Sequence, residues 1–297
     1  MISIREALIT AGAPSVSQLA DFSGEDDPSL RRQAARVGIV HEFQATGGIR
    51  GELGIPQTSI EWSDAGAEQY FSGGTIKFLN GPTTSEKEWS VSVTYLGFEC
   101  TFESSIDGAS DSDEPYFMLG VIGTPGSRER RFGPYEGVDS GDAMVDVTRL
   151  CEDFIPPITI GAVAMEHDEG DVNQAEQDVV KAIAKVDDAM DGAAAAFTGT
   201  APTGWIVAED AEVFGWPVEI TGAFWGFQDD FISSDAAFLF DYDKEQKQWW
   251  GLPKLGTFEG HDYNAKLSIS GGLEGSYDLH FDVELRRNGE LVGAKPG

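Results

Sequence analysis

The sequence is poor in positive charge. Only 20 of its 297 residues are Lys or Arg, against 51 Asp and Glu, which gives a formal net charge of −31. Because binding to a phosphate backbone requires patches of Lys and Arg, this composition argues against nucleic acid as a partner. The same charge disfavours direct attraction to an anionic membrane unless a divalent ion bridges the two surfaces.

Cysteine and long apolar runs are also scarce. Cys100 and Cys151 are the two cysteines of the chain, too few for a disulfide framework, and they are read as two buried thiols or as one bridge. No signal peptide is predicted at the N-terminus, and no apolar run approaches the roughly 18 residues of a transmembrane helix. The localisation therefore stays unknown, with export by a non-classical route as an open alternative.

The motifs of common enzyme classes are missing. The sequence has no G-x-S-x-G elbow, Walker loop, G-x-G-x-x-G turn or H-E-x-x-H helix, and its four histidines lack zinc-ligand spacing. These absences favour a non-enzymatic protein. A hydrolase that uses two carboxylates stays open, because such a pair leaves no trace in a sequence.

Alternating apolar and polar residues predict a fold made mostly of β-strands. Trp89, Val91, Val93 and Tyr95 alternate with polar neighbours, and the alternation resumes out of phase after Gly97, which predicts a β-bulge there. Residues 277–285 alternate over a full strand, with Asp278, His280, Asp282 and Glu284 on the outward face, and Asn288-Gly289 predicts a turn after it. We therefore predict a mostly-β domain over residues 41–297.

Two segments are predicted to be helical. Residues 1–40 form a short helical N-terminal segment that is separate from the β domain. Residues 173–197 form one long helix inserted into that domain, since Asn173 and Glu176 have capping-box spacing before an apolar stripe. The charged stretch at 128–131 is predicted to be a loop.

Two groups of residues are candidate partner-binding sites. Arg31, Arg32 and Arg36 form a local basic cluster, which either pairs with acids of the same chain or docks a partner. Trp249 and Trp250 are adjacent, so that in a strand one of them must point outward.

Acidic residues are concentrated in two segments. Residues 103–114 hold five acids in twelve positions, and residues 166–171 hold four in six. Calcium takes about six to eight oxygen ligands, and Gly- and Ser-rich loops allow several carboxylates to converge on one ion. The sequence therefore predicts a Ca²⁺ site, with solvated acids as the alternative. The candidate ligands are Asp107, Asp111, Asp113, Glu166, Asp168 and Asp171.

The same segments resemble the calcium loops of C2 domains. The run Ser112-Asp113-Glu114-Pro115-Tyr116-Phe117 is similar to the Ser-Asp-Pro-Tyr of their first loop, with Glu114 inserted. Glu166-His167-Asp168 is similar to the Asp-x-Asp of the third loop, with Glu in the first position. Asp229-Asp230-Phe231-Ile232 is similar to the Asp-Asp-Phe-Ile that follows, although the predicted helix at 173–197 intervenes.

This resemblance implies that residues 41–297 form an antiparallel, C2-like β-sandwich, which holds calcium between loops at one end. It adds Asp229 and Asp230 to the ligands, and it implies calcium-dependent binding to a membrane or a protein. The first functional hypothesis is therefore a non-enzymatic calcium-binding module. The second is a structural subunit or toxin-like cargo of a secreted assembly, which would associate with itself or with a carrier. The third is a hydrolase with an acidic site.

Overall fold

The fold consists mostly of antiparallel β-strands, as a computed structural model shows, and this part of the prediction is confirmed. The structure describes residues 28–79, 83–103, 114–123, 126–166, 233–240, 242–271 and 275–296. These residues divide into two compact units. The first contains residues up to Trp89 together with 242–248, and the second contains most of the remainder, beginning at Ser90.

The first unit contains a helix and a four-stranded sheet. Its helix α1 is Pro28–Ala45, and a single 3₁₀ turn follows at Gly48–Arg50. An antiparallel meander then has the strands β1 (Glu61–Ser63), β2 (Gly66–Tyr70), β3 (Gly74–Phe78) and β4 (Thr83–Lys87).

Helix α1 packs its apolar residues against this sheet. Ala35, Ile39 and Phe43 are buried at the four-residue spacing of one helix face. The ring of Phe43 stacks on Phe71, with centroids 5.0 Å apart and planes 20° apart. The helix continues past residue 40, where the sequence placed the end of the N-terminal segment, and the first unit extends to Trp89. The predicted helix at 173–197 lies outside the described residues.

The second unit contains two larger sheets, which differ in strand number. One has the order β10-β9-β6-β7 and the other the order β15-β16-β5-β8. The strands of the first sheet are β6 (Pro115–Gly123), β7 (Gly126–Phe132), β9 (Ile158–Glu166) and β10 (Ser233–Leu239). Those of the second sheet are β5 (Trp89–Phe102), β8 (Ala143–Phe154), β15 (Ala265–Ser270) and β16 (Ser276–Arg287), and β17 (Glu290–Leu291) extends it beside β16.

Two short strand pairs complete the described elements. Strands β11 (Tyr242–Asp243) and β12 (Gln248–Trp249) form one pair, and β13 (Gly256–Phe258) and β14 (His261–Tyr263) form a hairpin.

Aromatic side chains join the two sheets of the second unit. Phe98 of β5 lies 4.7 Å from Phe117 of β6, measured between ring centroids. Tyr95 of β5 lies 4.7 Å from Phe132 of β7, and Phe117 meets Tyr277 of β16 edge to face at 5.4 Å. Offset and edge-to-face pairs of this kind stabilise a core beyond the effect of area burial. The arrangement agrees with a β-sandwich at this coarse level.

Three local predictions are confirmed. The pairing of β5 with β8 shifts register between Tyr95 and Gly97, where Gly97 has a φ of 129° that favours glycine. Asn288 and Gly289 both have positive φ in the tight turn from β16 to β17. Cys100 and Cys151 are both buried and no disulfide joins them, and burial raises the pKa of the Cys151 thiol to about 12.

The prediction of a loop at residues 128–131 is wrong, because this stretch lies in strand β7. Strand β7 is an edge strand, and all of its residues from Arg128 to Arg131 are exposed. Alternation of apolar and polar residues marks strands with one buried face. It therefore cannot mark an edge strand whose side chains on both faces reach solvent.

Candidate functional site

Three acidic segments border on strands of the sheet β10-β9-β6-β7 at one end, namely residues 103–114, 166–171 and 229–230. Strand β6 begins at Pro115, which pairs with Glu166, the last residue of β9. Strand β10 begins at Ser233, which pairs with Ala164 of β9. Since neighbouring strands lie about 4.8 Å apart, all three junctions fall within roughly 10 Å across the sheet. The register therefore places the boundaries of segments that are distant in the sequence side by side.

The predicted calcium ligands themselves fall almost entirely outside the described residues. This applies to seven of them: Asp107, Asp111, Asp113, Asp168, Asp171, Asp229 and Asp230. The backbone of Glu166 is described, at the end of β9, but not its side chain. Within the described ranges, no group of three or more His, Cys, Asp or Glu residues is placed to hold a metal ion.

The start of the first acidic segment is fixed by hydrogen bonds. The backbone N–H of Glu103 donates to Ser140 Oγ at 2.8 Å, and the backbone N–H of Ser140 donates to Glu103 Oε2 at 3.0 Å. The backbone N–H of Tyr135 donates to the Pro115 carbonyl at 3.0 Å, while its ring lies 5.0 Å from Phe98. These contacts hold the end of β5 and the beginning of β6 at the same end of the sandwich.

The predicted basic cluster lies on helix α1 and meets an aromatic ring. The guanidinium carbons of Arg32 and Arg36 lie 5.5 and 6.0 Å from the ring centroid of Trp62, whose side chain is 38% exposed. Arg31 is exposed on the same helix. No ion pair joins Arg32 or Arg36 to another described residue. Sequence reasoning missed Trp62, because a single tryptophan in a short strand gives no pattern.

The predicted tryptophan pair has little exposed surface. Trp249 is 2% exposed, and Trp250 is half-buried. Within this pair, Trp250 alone has surface that a partner could contact. The partner-binding role of these residues stays a prediction.

The hairpin β13–β14 covers a histidine that the sequence placed on the outward face of β16. His280 is only 4% exposed, and neither ring nitrogen has a hydrogen-bond partner within the described part of the chain. Phe258 stacks on its imidazole and Tyr263 meets it edge to face, at centroid distances of 4.4 and 4.5 Å. Burial lowers the pKa of His280, and the nearby Asp278 carboxylate opposes this change.

Carboxylates beside His280 are shifted in opposite directions. Burial raises the pKa of Asp278, but hydrogen bonds from Lys266 and Ser268 outweigh it and hold the pKa below its usual range. For Asp282, burial together with the neighbouring Glu284 raises the pKa. Opposite shifts in two nearby carboxyls are a property of many acid–base sites, and also of ordinary ion-pair networks.

Among the described residues, no helix is long and apolar enough to cross a membrane. Comparison of the chain with protein-family models, with curated proteins and with solved structures finds no match.

Proposed function

We propose that the chain is a non-enzymatic calcium-binding module of the β-sandwich type. The observation that supports this proposal most is the register of β6, β9 and β10. Pairing of Pro115 with Glu166, and of Ser233 with Ala164, brings the boundaries of three acidic segments to one end of one sheet. The candidate ligands closest to these strand ends in the sequence are Asp113, Asp230 and Glu166, the last of which ends β9.

Calcium gives such a convergence a physical reason. Two carboxylates about 4 Å apart repel by roughly 1 kcal/mol in water and by more where solvent is excluded. A divalent ion reverses the sign of this interaction, and calcium accepts the variable geometry of carboxylate, carbonyl and water ligands. In this proposal the ligands come from Asp107, Asp111, Asp113, Glu166, Asp168, Asp171, Asp229 and Asp230.

The C2 resemblance belongs to the same proposal. It adds that the bound calcium attaches the module to a membrane or to a protein partner. With a net charge of −31, the chain needs such a bridging ion before it can approach an anionic membrane surface. Anionic vesicles pelleted with the protein in Ca²⁺ but not in EGTA identify the membrane as partner. If the chain binds calcium but does not bind the vesicles, a protein is favoured as its partner.

Thermal unfolding with and without calcium tests the proposal. A ligand that binds the native state alone stabilises it by about 2.7 kcal/mol at a hundredfold excess over its Kd. For a chain of this size each kcal/mol raises Tm by about 2–4 °C, so we expect an increase of several degrees in millimolar Ca²⁺ over EGTA. Magnesium at the same ionic strength is the control. An unchanged Tm contradicts the calcium site.

A further inference from the structure

Among the described strands, β7 forms one edge of the sheet β10-β9-β6-β7, and its side chains from Arg128 to Arg131 are exposed. It pairs with β6 along seven residue pairs, from Phe117 opposite Phe132 to Gly123 opposite Gly126. On its other side, no strand of the described chain pairs with it. Backbone N–H and C=O groups along such an edge are a template for another extended chain.

The edge carries three arginines that rest on aromatic rings. The guanidinium carbons of Arg128, Arg130 and Arg131 lie 5.9, 5.4 and 5.7 Å from the ring centroids of Phe154, Phe132 and Tyr116 respectively. Stacking on a ring restricts a guanidinium while its N–H groups stay able to donate to a carboxylate. The three side chains are therefore partly ordered before any partner arrives.

These arginines form no ion pair with the acids of the described chain. The salt bridges among the described residues involve other cations, such as Arg149, Lys254 and Lys266. Within the described part of the chain, the three charges on the edge are therefore not paired with a carboxylate, so a carboxylate from outside can meet them.

A second copy of the chain is a poor occupant of this edge. Three arginines and one glutamate leave each copy of β7 with a positive charge, so two such strands repel when paired. A positively charged edge also disfavours pairing with the edges of other sheets. It therefore favours a strand that carries negative charge.

We propose that β7 binds an extended acidic segment of a partner protein as an additional strand. Main-chain hydrogen bonds would supply affinity, and alternate side chains would supply specificity. Arg128 and Arg130 lie two residues apart and so share one face of the strand, while Arg131 lies on the other face. The matching segment therefore carries Asp or Glu at every second position.

A labelled peptide of about eight residues, the length of a typical strand, tests this binding. It carries Asp alternating with Thr, and two control peptides have Asn for every Asp or Pro at central positions. We expect binding of the Asp peptide alone, with new protection of β7 amides from hydrogen exchange. Equal binding of the Asn peptide, or binding without protection of β7, overturns the proposal.

Variants of the full chain locate the contact. The pair Arg128→Gln and Arg130→Gln should weaken the Asp peptide by about tenfold or more, since charge-assisted hydrogen bonds are the strong ones. Arg131→Gln should have a clearly smaller effect, because its side chain faces the other way. The control pair Lys87→Gln and Lys244→Gln removes two exposed positive charges of the first unit and should leave affinity unchanged.

Two further readouts keep the outcome decisive. Thermal unfolding of each variant shows whether the fold survives, and Arg128→Lys with Arg130→Lys retains the charge but loses the planar fork that binds both carboxylate oxygens. We expect this lysine pair to bind with intermediate affinity. Peptide binding that is weakened equally by the Lys87 and Lys244 pair contradicts a site at β7. Dimerisation that requires Arg128 and Arg130 assigns the edge to a second copy and also overturns the proposal.

Discussion

The ring of Phe258 lies almost parallel to the imidazole of His280, at a centroid distance of 4.4 Å and an interplanar angle of 19°. Phe258 comes from the hairpin β13–β14, and His280 comes from the middle of β16. The contact removes His280 from solvent on the face of the sheet that would otherwise be its exposed side. The titratable imidazole of His280 is thus part of the packing between the hairpin and β16.

Acidification should destabilise the protein through His280. Its pKa is lowered in the folded state, chiefly by burial, so the unfolded chain binds more protons below the ordinary value near 6.5. The contribution is therefore complete above pH 6.5 and is lost as the pH falls from there toward the folded pKa. We expect Tm to fall between pH 7.5 and 5.5, and to fall less in His280→Gln. His261→Gln, on the exposed part of the same hairpin, should retain the slope of the parent protein.

Removal of the Phe258 ring should expose His280. Truncation of a buried Phe to Ala costs about 3–5 kcal/mol, so Phe258→Ala should lower the free energy of unfolding by roughly 3 kcal/mol. The pKa of His280, followed by NMR of the imidazole, should rise toward its ordinary value as water reaches the ring. Phe102→Ala is the control, since Phe102 is 42% exposed. A His280 pKa that stays unchanged in Phe258→Ala contradicts the role of the hairpin in burying it.

Truncation before residue 41 should destabilise the first unit. It removes Ala34, Ala35 and Ile39, which are buried between helix α1 and the sheet, and it shortens the helix that holds Phe43. Ile39→Ala alone should cost about 2–5 kcal/mol. Denaturant unfolding measures both effects, with Arg31→Ala as an exposed control on the same helix. A truncated chain that keeps its full stability supports a separable docking segment instead.

Calcium stabilisation should depend on particular acids. Asp113→Asn and Asp168→Asn should each remove much of the Tm increase in Ca²⁺, because each lies two residues from Pro115 or Glu166, which pair with each other. Asp64→Asn, in the exposed turn between β1 and β2, is the control and should retain the increase. Equal losses from all three variants indicate a general response to charge and would falsify a localised site.

The predictability of the fold varied with the surroundings of each strand. Strand β16 was read correctly because Tyr277, Leu279 and Phe281 are buried on one side and alternate with polar residues. Strand β7 was missed because neither of its faces is covered at Arg128 to Arg131. Burial of His280 was missed as well, since it depends on a hairpin that meets β16 in space and that no local pattern announces.

The candidate site was only partly accessible to sequence reasoning. Acid density identified the segments around Asp113 and Asp168, but the density gives no information on whether they meet. That depends on the pairing of β6 with β9, which are separated by β7 and β8 in the chain. The arginines on Trp62 show the opposite case, because the cluster was visible in the sequence and its aromatic partner was not.

The first unit is formed by stretches that are distant in the sequence, and this affects when the unit can fold during synthesis. Lys247 forms an ion pair with Glu61 and lies 4.9 Å from the ring centroid of Tyr70, although Lys247 and Glu61 are 186 residues apart. At a translation rate of roughly 5–20 residues per second, Lys247 is synthesised about 10–40 s after Glu61. The unit that emerges first from the ribosome is therefore completed late, after most of the sandwich has been synthesised.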